Sequence, residues 1–411
     1  MTTSLTRRGL LGAGAALAPL AIAPRARAQE KVIRVAVFTD LNGPYAANTG
    51  KGSVVGAQLA AEDAMKAHSG LKIEVVEIDF QLKTDVALSL AREWIDSKGV
   101  DVILDVPQSA AAFAIADLVR EKDRMALFTG TASSLLTGKN CGPNHAHWVY
   151  DTWSASAGPA KALVADGGDT WFFIVADYAF GHSLANDTSA TVQKVGGKEL
   201  GRAVTPFPGT SDFSAFLLQA QASGAKVLAL ANGGSDTVNC VKQAAEFGLN
   251  KKMRIVGMTT QITDVHPLGL QAAQGLYSCE AYYWNLNDGT RAFADRYAAR
   301  MGGIKPNGLQ AGNYSAIMHY AKSVAALGVD KAKASGRAVM EHMKSQPTDD
   351  PIFGKGVLRV DGRKVHPVYL QQVKAPADSK MPWDYYNPVR TIPADQAFRP
   401  LNEGGCSLVK A

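Results

Sequence analysis

The chain has 411 residues, 46% hydrophobic and 19% charged, with 39 Gly, 18 Pro and four Cys. That balance excludes a disordered chain, a collagen-like repeat and a small disulfide-stapled scaffold, and the length predicts two or three compact units. The formal charge of +6 raises nucleic acid or a membrane surface as a partner, but the first residues carry much of it.

Residues 1–28 have the three parts of a signal peptide: Arg7 and Arg8 near the start, a Gly/Ala/Leu-rich run through Ala23, and Ala26-Arg27-Ala28 before the expected cleavage near Ala28. The apolar run is too short for a permanent membrane span. Paired arginines before a weakly hydrophobic core resemble a twin-arginine leader, with an ordinary secretory leader as the alternative. Cleavage would remove Arg7, Arg8, Arg25 and Arg27 and no acid, leaving 39 bases against 37 acids. The mature chain is then nearly neutral, and periplasmic, without a membrane-inserted segment. The Gly12-x-Gly14 pair lies inside the leader and does not signal nucleotide binding.

Beyond the leader, β-branched apolar runs alternate with helical patterns, the signature of parallel sheets covered by helices. Strands are predicted at 32–38, 71–80, 100–104 and 124–128, with helices at 50–68, 85–97 and 109–121. A second series follows: helix 156–166, strand 171–176, helix 181–195, strand 198–204, helix 211–222, strand 226–231, helix 235–247 and strand 253–257. An apolar and aromatic run at 276–284 precedes helices near 289–301, 309–327 and 331–346, then short strands at 356–360 and 367–373. The last forty residues, rich in Pro and aromatics, read as an irregular strap.

Enzyme signatures are missing: there is no H-E-x-x-H, G-x-S-x-G, P-loop or C-x-x-C. Cys141, His145 and His147 lack a fourth metal ligand at suitable spacing, and a turn leading into a strand explains them as well. Basic residues never interleave with aromatics, so nucleic acid is not an expected partner. Four Cys permit three full pairings. Cys141 and Cys406 lie in Gly/Pro-containing loops and form the candidate bridge, whereas Cys240 in a helix and Cys279 in an apolar run read as buried thiols.

At Val35-Ala-Val-Phe-Thr-Asp-Leu-Asn-Gly-Pro44 the chain begins to resemble the periplasmic binding proteins of branched-chain amino-acid (leucine/isoleucine/valine-binding) type ABC transporters. Further matches are Asp177-Tyr-Ala-Phe-Gly181, Thr210-Ser-Asp-Phe-Ser214, Val241 to Leu249, Gln274-Gly-Leu276 and Tyr314-Ser-Ala-Ile317. The resemblance implies an α/β fold of the type I periplasmic binding protein class, two doubly wound parallel-sheet lobes joined by three hinge crossovers. These are expected near 148–152, 279–283 and 346–352. Lobe 1 is then 29–150 plus 281–348, lobe 2 is 151–280 plus 349–375, and 376–411 is the strap. The implied function is capture of a small organic solute for an ABC importer; a sensory protein of the same fold and an exported enzyme are the alternatives. Expected partners are the ligand and the permease subunits, the state a monomer, and no cofactor or metal is called for.

In such lobes the ligand lies beyond the carboxyl ends of the strands, where helix N-termini present unpaired N–H groups. Ser109, after Gln108, is placed to cap the helix that follows and to offer its hydroxyl to an anion. The segment Thr129 to Ser134 adds backbone donors, and the resemblance assigns a ligand carboxylate to Ser109, Gly130 and Ala132, with Thr131 between them. Departures from the family pattern are Ala132 in place of Thr, Phe180 in place of Tyr, Asn232 in place of an aromatic, and Thr259 in place of the carboxylate that grips an α-ammonium. A buried ammonium without that partner costs several kcal/mol. The expected ligand is therefore an organic carboxylate, aromatic or short-chain. Asp264 could supply the missing charge, but a helix-capping role suits it better. Asn48, Tyr150, Trp153 and Tyr178 complete the candidate ligand-binding set. Trp148, Tyr282, Tyr283 and Trp284 are aromatic neighbours that core packing explains as readily.

Overall fold

The computed structural model describes residues 31–410; the leader expected at 1–28 lies outside them. Two βα series follow one another with the same topology. The first runs β1 (Ile33–Thr39), α1 (Gly50–Ala67), β2 (Ile73–Asp79), α2 (Thr84–Lys98), β3 (Val102–Asp105), α3 (Ser109–Glu121), β4 (Met125–Phe128) and β5 (His145–His147). Its five strands are parallel in the order β2-β1-β3-β4-β5. The second runs α4 (Thr152–Ala165), β6 (Thr170–Ala176), α5 (Ala179–Lys194), β7 (Lys198–Thr205), α6 (Ser214–Ala222), β8 (Val227–Ala231), α7 (Ser235–Glu246), β9 (Arg254–Gly257), α8 (Ile262–Leu268), α9 (Leu270–Ala273) and β10 (Tyr277–Glu280). Its order β7-β6-β8-β9-β10 repeats that of the first sheet. In both, the central strands β3 and β8 are buried along their whole length, as continuous apolar runs covered on both faces must be.

Helices α10 (Asp288–Arg300), α11 (Gly308–Leu327), α12 (Val329–Ala334) and α13 (Gly336–Ser345) return to the first lobe. The expected helix 331–346 is thus two, separated by Ser335, whose hydroxyl accepts the Ala338 N–H and starts the second. Gly56 of α1 lies so close to α11 that a Cβ would fall 2.3 Å from Gln310 O; only glycine permits that approach.

A small antiparallel sheet follows, β11 (Thr348–Asp350), β12 (Gly354–Leu358) and β13 (Lys364–Val365). It stays beside the first lobe, because Arg363 bridges to His147 of β5. The chain enters the seven-stranded sheet only at β14 (Val368–Val373), so the third passage comes after 365, later than the expected 346–352. It is tied to the first passage: Arg363 Nη1 donates to Tyr150 O at 3.0 Å and His366 Nε2 to Val149 O at 2.7 Å. The strap is less irregular than expected, since β15 (Tyr386–Ile392) pairs antiparallel with β14 and forms the sheet edge. Pro388 sits there without disrupting an inner ladder. A disulfide joins Cys141 to Cys406, and Cys240 and Cys279 are buried thiols. His145 and His147 turn Nε2 to the carbonyls of Leu136 and Thr131, and no group of three or more metal-ligating side chains occurs among the described residues. Nor is any described helix long and apolar enough to cross a membrane.

Candidate functional site

The carboxyl ends of both parallel sheets face one narrow cleft with a cavity volume of about 20 Å³. From the first lobe, the loop after β1 brings Tyr45, Asn48 and Thr49. Asp40 shapes this loop by accepting the N–H groups of Gly43 and Tyr45 at 2.7 and 2.8 Å, and burial raises its carboxyl above the usual range.

After β3 the chain turns sharply. Asp105 and Val106 have φ of 80° and 57°, a left-handed conformation that non-glycine residues adopt at a cost of order 1–3 kcal/mol each. The turn presents Pro107 and the start of α3 to the cleft. Gln108, not Ser109, is the N-cap: its side chain accepts the Ala111 N–H. This corrects the expectation for Ser109, which is the first helical residue. Its hydroxyl therefore does no capping and lies in the cleft wall without a protein partner among the described residues. The N–H groups at the first helical positions also lack intrahelical acceptors.

The loop after β4 supplies Gly130 and Ala132. A Cβ on Gly130 would fall 2.5 Å from Asp105 Oδ1 and 3.2 Å from Pro107, so the two loops can pack only with glycine here. The Gly130 N–H is already given to Asp105 O at 3.2 Å, which removes it as a ligand donor. Ala132 N–H has no such engagement among the described residues. Asp105 itself is buried, and desolvation pushes its carboxyl up to about 6, while the Thr129 hydroxyl donates to its Oδ1 at 3.2 Å.

From the second lobe come Tyr178 and Phe180 after β6, Gly233 and Gly234 after β8, and Thr259 and Gln261 after β9; Leu309 of α11 and Tyr150 of the first passage complete the wall. The lobes meet across it. Tyr45 Oη and Tyr178 Oη are 2.5 Å apart, Ser235 N–H donates to Pro44 O at 3.0 Å, and Ser133 and Ser183 share a 2.7 Å hydroxyl contact. Ser134 and Thr152 both donate to Asp187, at 2.7 and 2.6 Å. Gly234, at φ 59°, abuts Pro44 so closely that a Cβ would lie 2.2 Å from its carbonyl oxygen.

No residue of the wall carries a charge. Asp264 stands behind it, accepting Gln261 N–H at 2.9 Å at the start of α8 and Asn48 Nδ2 at 3.1 Å. It is a capping group, and burial pushes its carboxyl up to about 6. Asp236, near the tyrosine pair, is likewise pushed up to about 7 by desolvation.

Of the twelve ligand-binding candidates, Asn48, Ser109, Gly130, Ala132, Tyr150, Tyr178, Phe180 and Thr259 lie in the wall. Four do not. Gln108 caps α3; Thr131 Oγ1 donates to Val106 O at 2.6 Å; Asn232 accepts from Thr237 through its side chain and from Thr259 through its carbonyl. Trp153 lies under the Arg399 guanidinium, 5.8 Å from its ring centre. Trp148, Tyr282 and Trp284 direct their polar atoms to Ser315, Thr290 and Trp383, as core residues. Tyr45, Gly233, Gly234 and Gln261 were missed although each follows a strand end, the same signal that found Ser109. Leu309 had no local signal, because its place depends on how α11 packs.

A family model described as periplasmic binding protein matches residues 32–380. The crystal structure of a periplasmic binding protein from Burkholderia mallei is 40% identical, covers 92% of this chain and all of that one, and superposes with a TM-score of 0.87. A branched-chain amino-acid ABC transporter periplasmic ligand-binding protein from Burkholderia xenovorans is also 40% identical, covering 92% and 99% of the two chains with a TM-score of 0.80. A solute-binding protein of an ABC transporter from R. palustris, solved in complex with benzoate, shares the fold at 19% identity, with 92% and 99% coverage and a TM-score of 0.79. A lobed α/β chain with an uncharged cleft at the carboxyl ends of both sheets, matched along nearly its whole length, belongs to the periplasmic binding proteins.

Proposed function

We propose that this protein captures a small aromatic or short-chain organic carboxylate between its lobes and delivers it to an ABC importer, without catalysing a reaction. The observation that carries the reading is the composition of the cleft wall. Donors without protein partners, the Ser109 hydroxyl and the Ala132 N–H beside the N-terminus of α3, suit an anionic oxygen. The rings of Tyr45, Tyr150, Tyr178 and Phe180 suit a flat or apolar body. Thr259 in the wall gives an α-ammonium no counter-charge, and Asp264 is occupied with Gln261 and Asn48. The benzoate complex of the R. palustris protein supports the aromatic choice.

Export through the leader, with cleavage after Ala28, is part of the same reading; N-terminal sequencing of the exported protein should begin at Gln29. Calorimetric titration tests the ligand class. Organic acids should bind at micromolar or tighter Kd, and micromolar binding of leucine or valine with none of organic acids would overturn the reading.

A further inference from the structure

Three passages join the lobes: after β5, after β10 and between β13 and β14. The end of the chain adds a fourth. Strand β15 runs back along β14 and ends with Ile392 opposite Val368, the first residue of β14 after the third passage. The chain therefore leaves the second-lobe sheet at the end that faces the first lobe. The short helix α14 (Ala394–Ala397) then packs on α4, where Gln396 and the buried Ala397 line a crevice with Ala157 and Ala162.

Phe398 lies against the third passage, its ring centre 4.6 Å from the guanidinium carbon of Arg363 and 5.2 Å from the His366 ring. From Arg399 onward the backbone is held by the first lobe. Arg399 Nη2 donates to Ser134 O at 2.7 Å, and Arg399 O accepts from Arg359 Nη1 at 2.9 Å. Gly404 rests on Gly138 so closely that a Cβ there would fall 2.6 Å from Gly404 O. The bridge from Cys406 to Cys141 then closes the passage covalently.

This crossing has little slack. Ala397 belongs to the second lobe and Arg399 to the first, and two peptide steps reach at most about 8 Å. Lobes that swing apart must either keep within that reach or strip Arg399 and Gly404 from their seats, and the disulfide keeps the strap from leaving. A hinge works because a few residues absorb the change in φ and ψ; a covalently closed passage beside three others removes part of that freedom.

We propose that residues 393–406 form a fourth hinge passage, locked by the Cys141–Cys406 bridge, that restrains how far the lobes swing apart. It concerns the hinge alone and stands whichever ligand the cleft takes.

The experiment is pulsed dipolar spectroscopy of ligand-free protein spin-labelled at Ser89→Cys on α2 and Gln221→Cys on α6. Both are exposed, on helices that follow β2 and β7, the sheet edges farthest from the passages; the native cysteines are bridged or buried. One variant inserts about four Gly/Ser residues between Phe398 and Arg399, which gives the crossing about 13 Å of slack while keeping both seats and the bridge. The other is Cys141→Ser with Cys406→Ser. In either, the longest label distances should grow by at least about 5 Å over the wild type. The insertion hardly changes the length of the disulfide-closed loop, so its Tm should stay within about 3 °C of the wild type, whereas loss of the bridge should lower Tm. Distances that stay within about 2 Å of the wild type in whichever variant folds overturn the proposal and leave the bridge as a staple for stability alone. A wild type whose own distances already spread over more than about 15 Å overturns it even if neither variant folds.

Discussion

Ser109→Ala separates binding from folding because of where the helix cap lies. Capping of α3 is done by Gln108, and Ser109 Oγ holds nothing in the protein, so its removal leaves the scaffold bonds intact. Alanine is also the better helix former, by a few tenths of a kcal/mol. The ligand loses one hydrogen bond to its charged end, worth about 1.5–3 kcal/mol, or roughly 10- to 150-fold in Kd. Binding should weaken without vanishing, because the backbone donors of the helix start and of Ala132 remain. Titration calorimetry gives the first number and a thermal melt the second: Kd should rise by that factor while Tm stays within about 2 °C. Unchanged affinity would remove Ser109 from the site, and a large fall in Tm would show that its hydroxyl has a structural role.

Further perturbations reach the same site from its supports. Gly130→Ala places a Cβ 2.5 Å from Asp105 Oδ1 and against Pro107; it should destabilise by about 1–3 kcal/mol and, by displacing the Ser109 turn, weaken the ligand at least as much as Ser109→Ala, checked by melt and titration. Tyr45→Phe removes the 2.5 Å hydroxyl contact with Tyr178, a neutral bond worth about 0.5–1.5 kcal/mol. Stopped-flow should show ligand release roughly 2- to 10-fold faster, and an unchanged rate would mean that the pair does not hold the lobes together. Burial pushes Glu280 at the end of β10 up to about 8 from 4.5. The folded state then binds more protons than the unfolded one, so stability falls as pH rises through the interval between those values. From pH 6.5 to 8 that loss is about 1–2 kcal/mol, seen as a falling Tm that Glu280→Gln should largely flatten. An anionic ligand close to Asp105, Asp264 and Asp236, pushed to about 6, 6 and 7 by burial, should raise them further. Binding near pH 6.5 should therefore take up protons and weaken as pH rises, measurable as a dependence of the binding enthalpy on buffer ionisation.

The lobes were legible because buried parallel strands are runs of β-branched residues, and Val102 to Leu104 or Val227 to Ala231 can be little else. Strand β5 carried no such run: His145-Ala146-His147 pairs because its backbone continues the ladder of β4. Pro388 and Arg390 disguised β15, which tolerates both as an edge strand. The third passage was misplaced because a buried cation, Arg363, anchors β13 to the first lobe, and hydropathy reads such a residue as exposed. At the site, strand ends located Ser109, Ala132, Tyr178 and Thr259. Spacing could not say which way a side chain in a turn faces. Thr131 and Asn232 sit beside wall residues, but the Thr131 hydroxyl donates to Val106 O and the Asn232 side-chain oxygen accepts from Thr237. Leu309 reaches the wall from more than a hundred residues beyond any other element that forms the first-lobe side.

The central claim is that an uncharged cleft with donors on one side and rings around it holds an organic acid. Mass spectrometry of the compound released on denaturing protein purified from its native host tests it most directly. The expected result is a small carboxylic acid, aromatic or short-chain, in near-stoichiometric amount. Recovery of leucine, isoleucine or valine in that amount would contradict it.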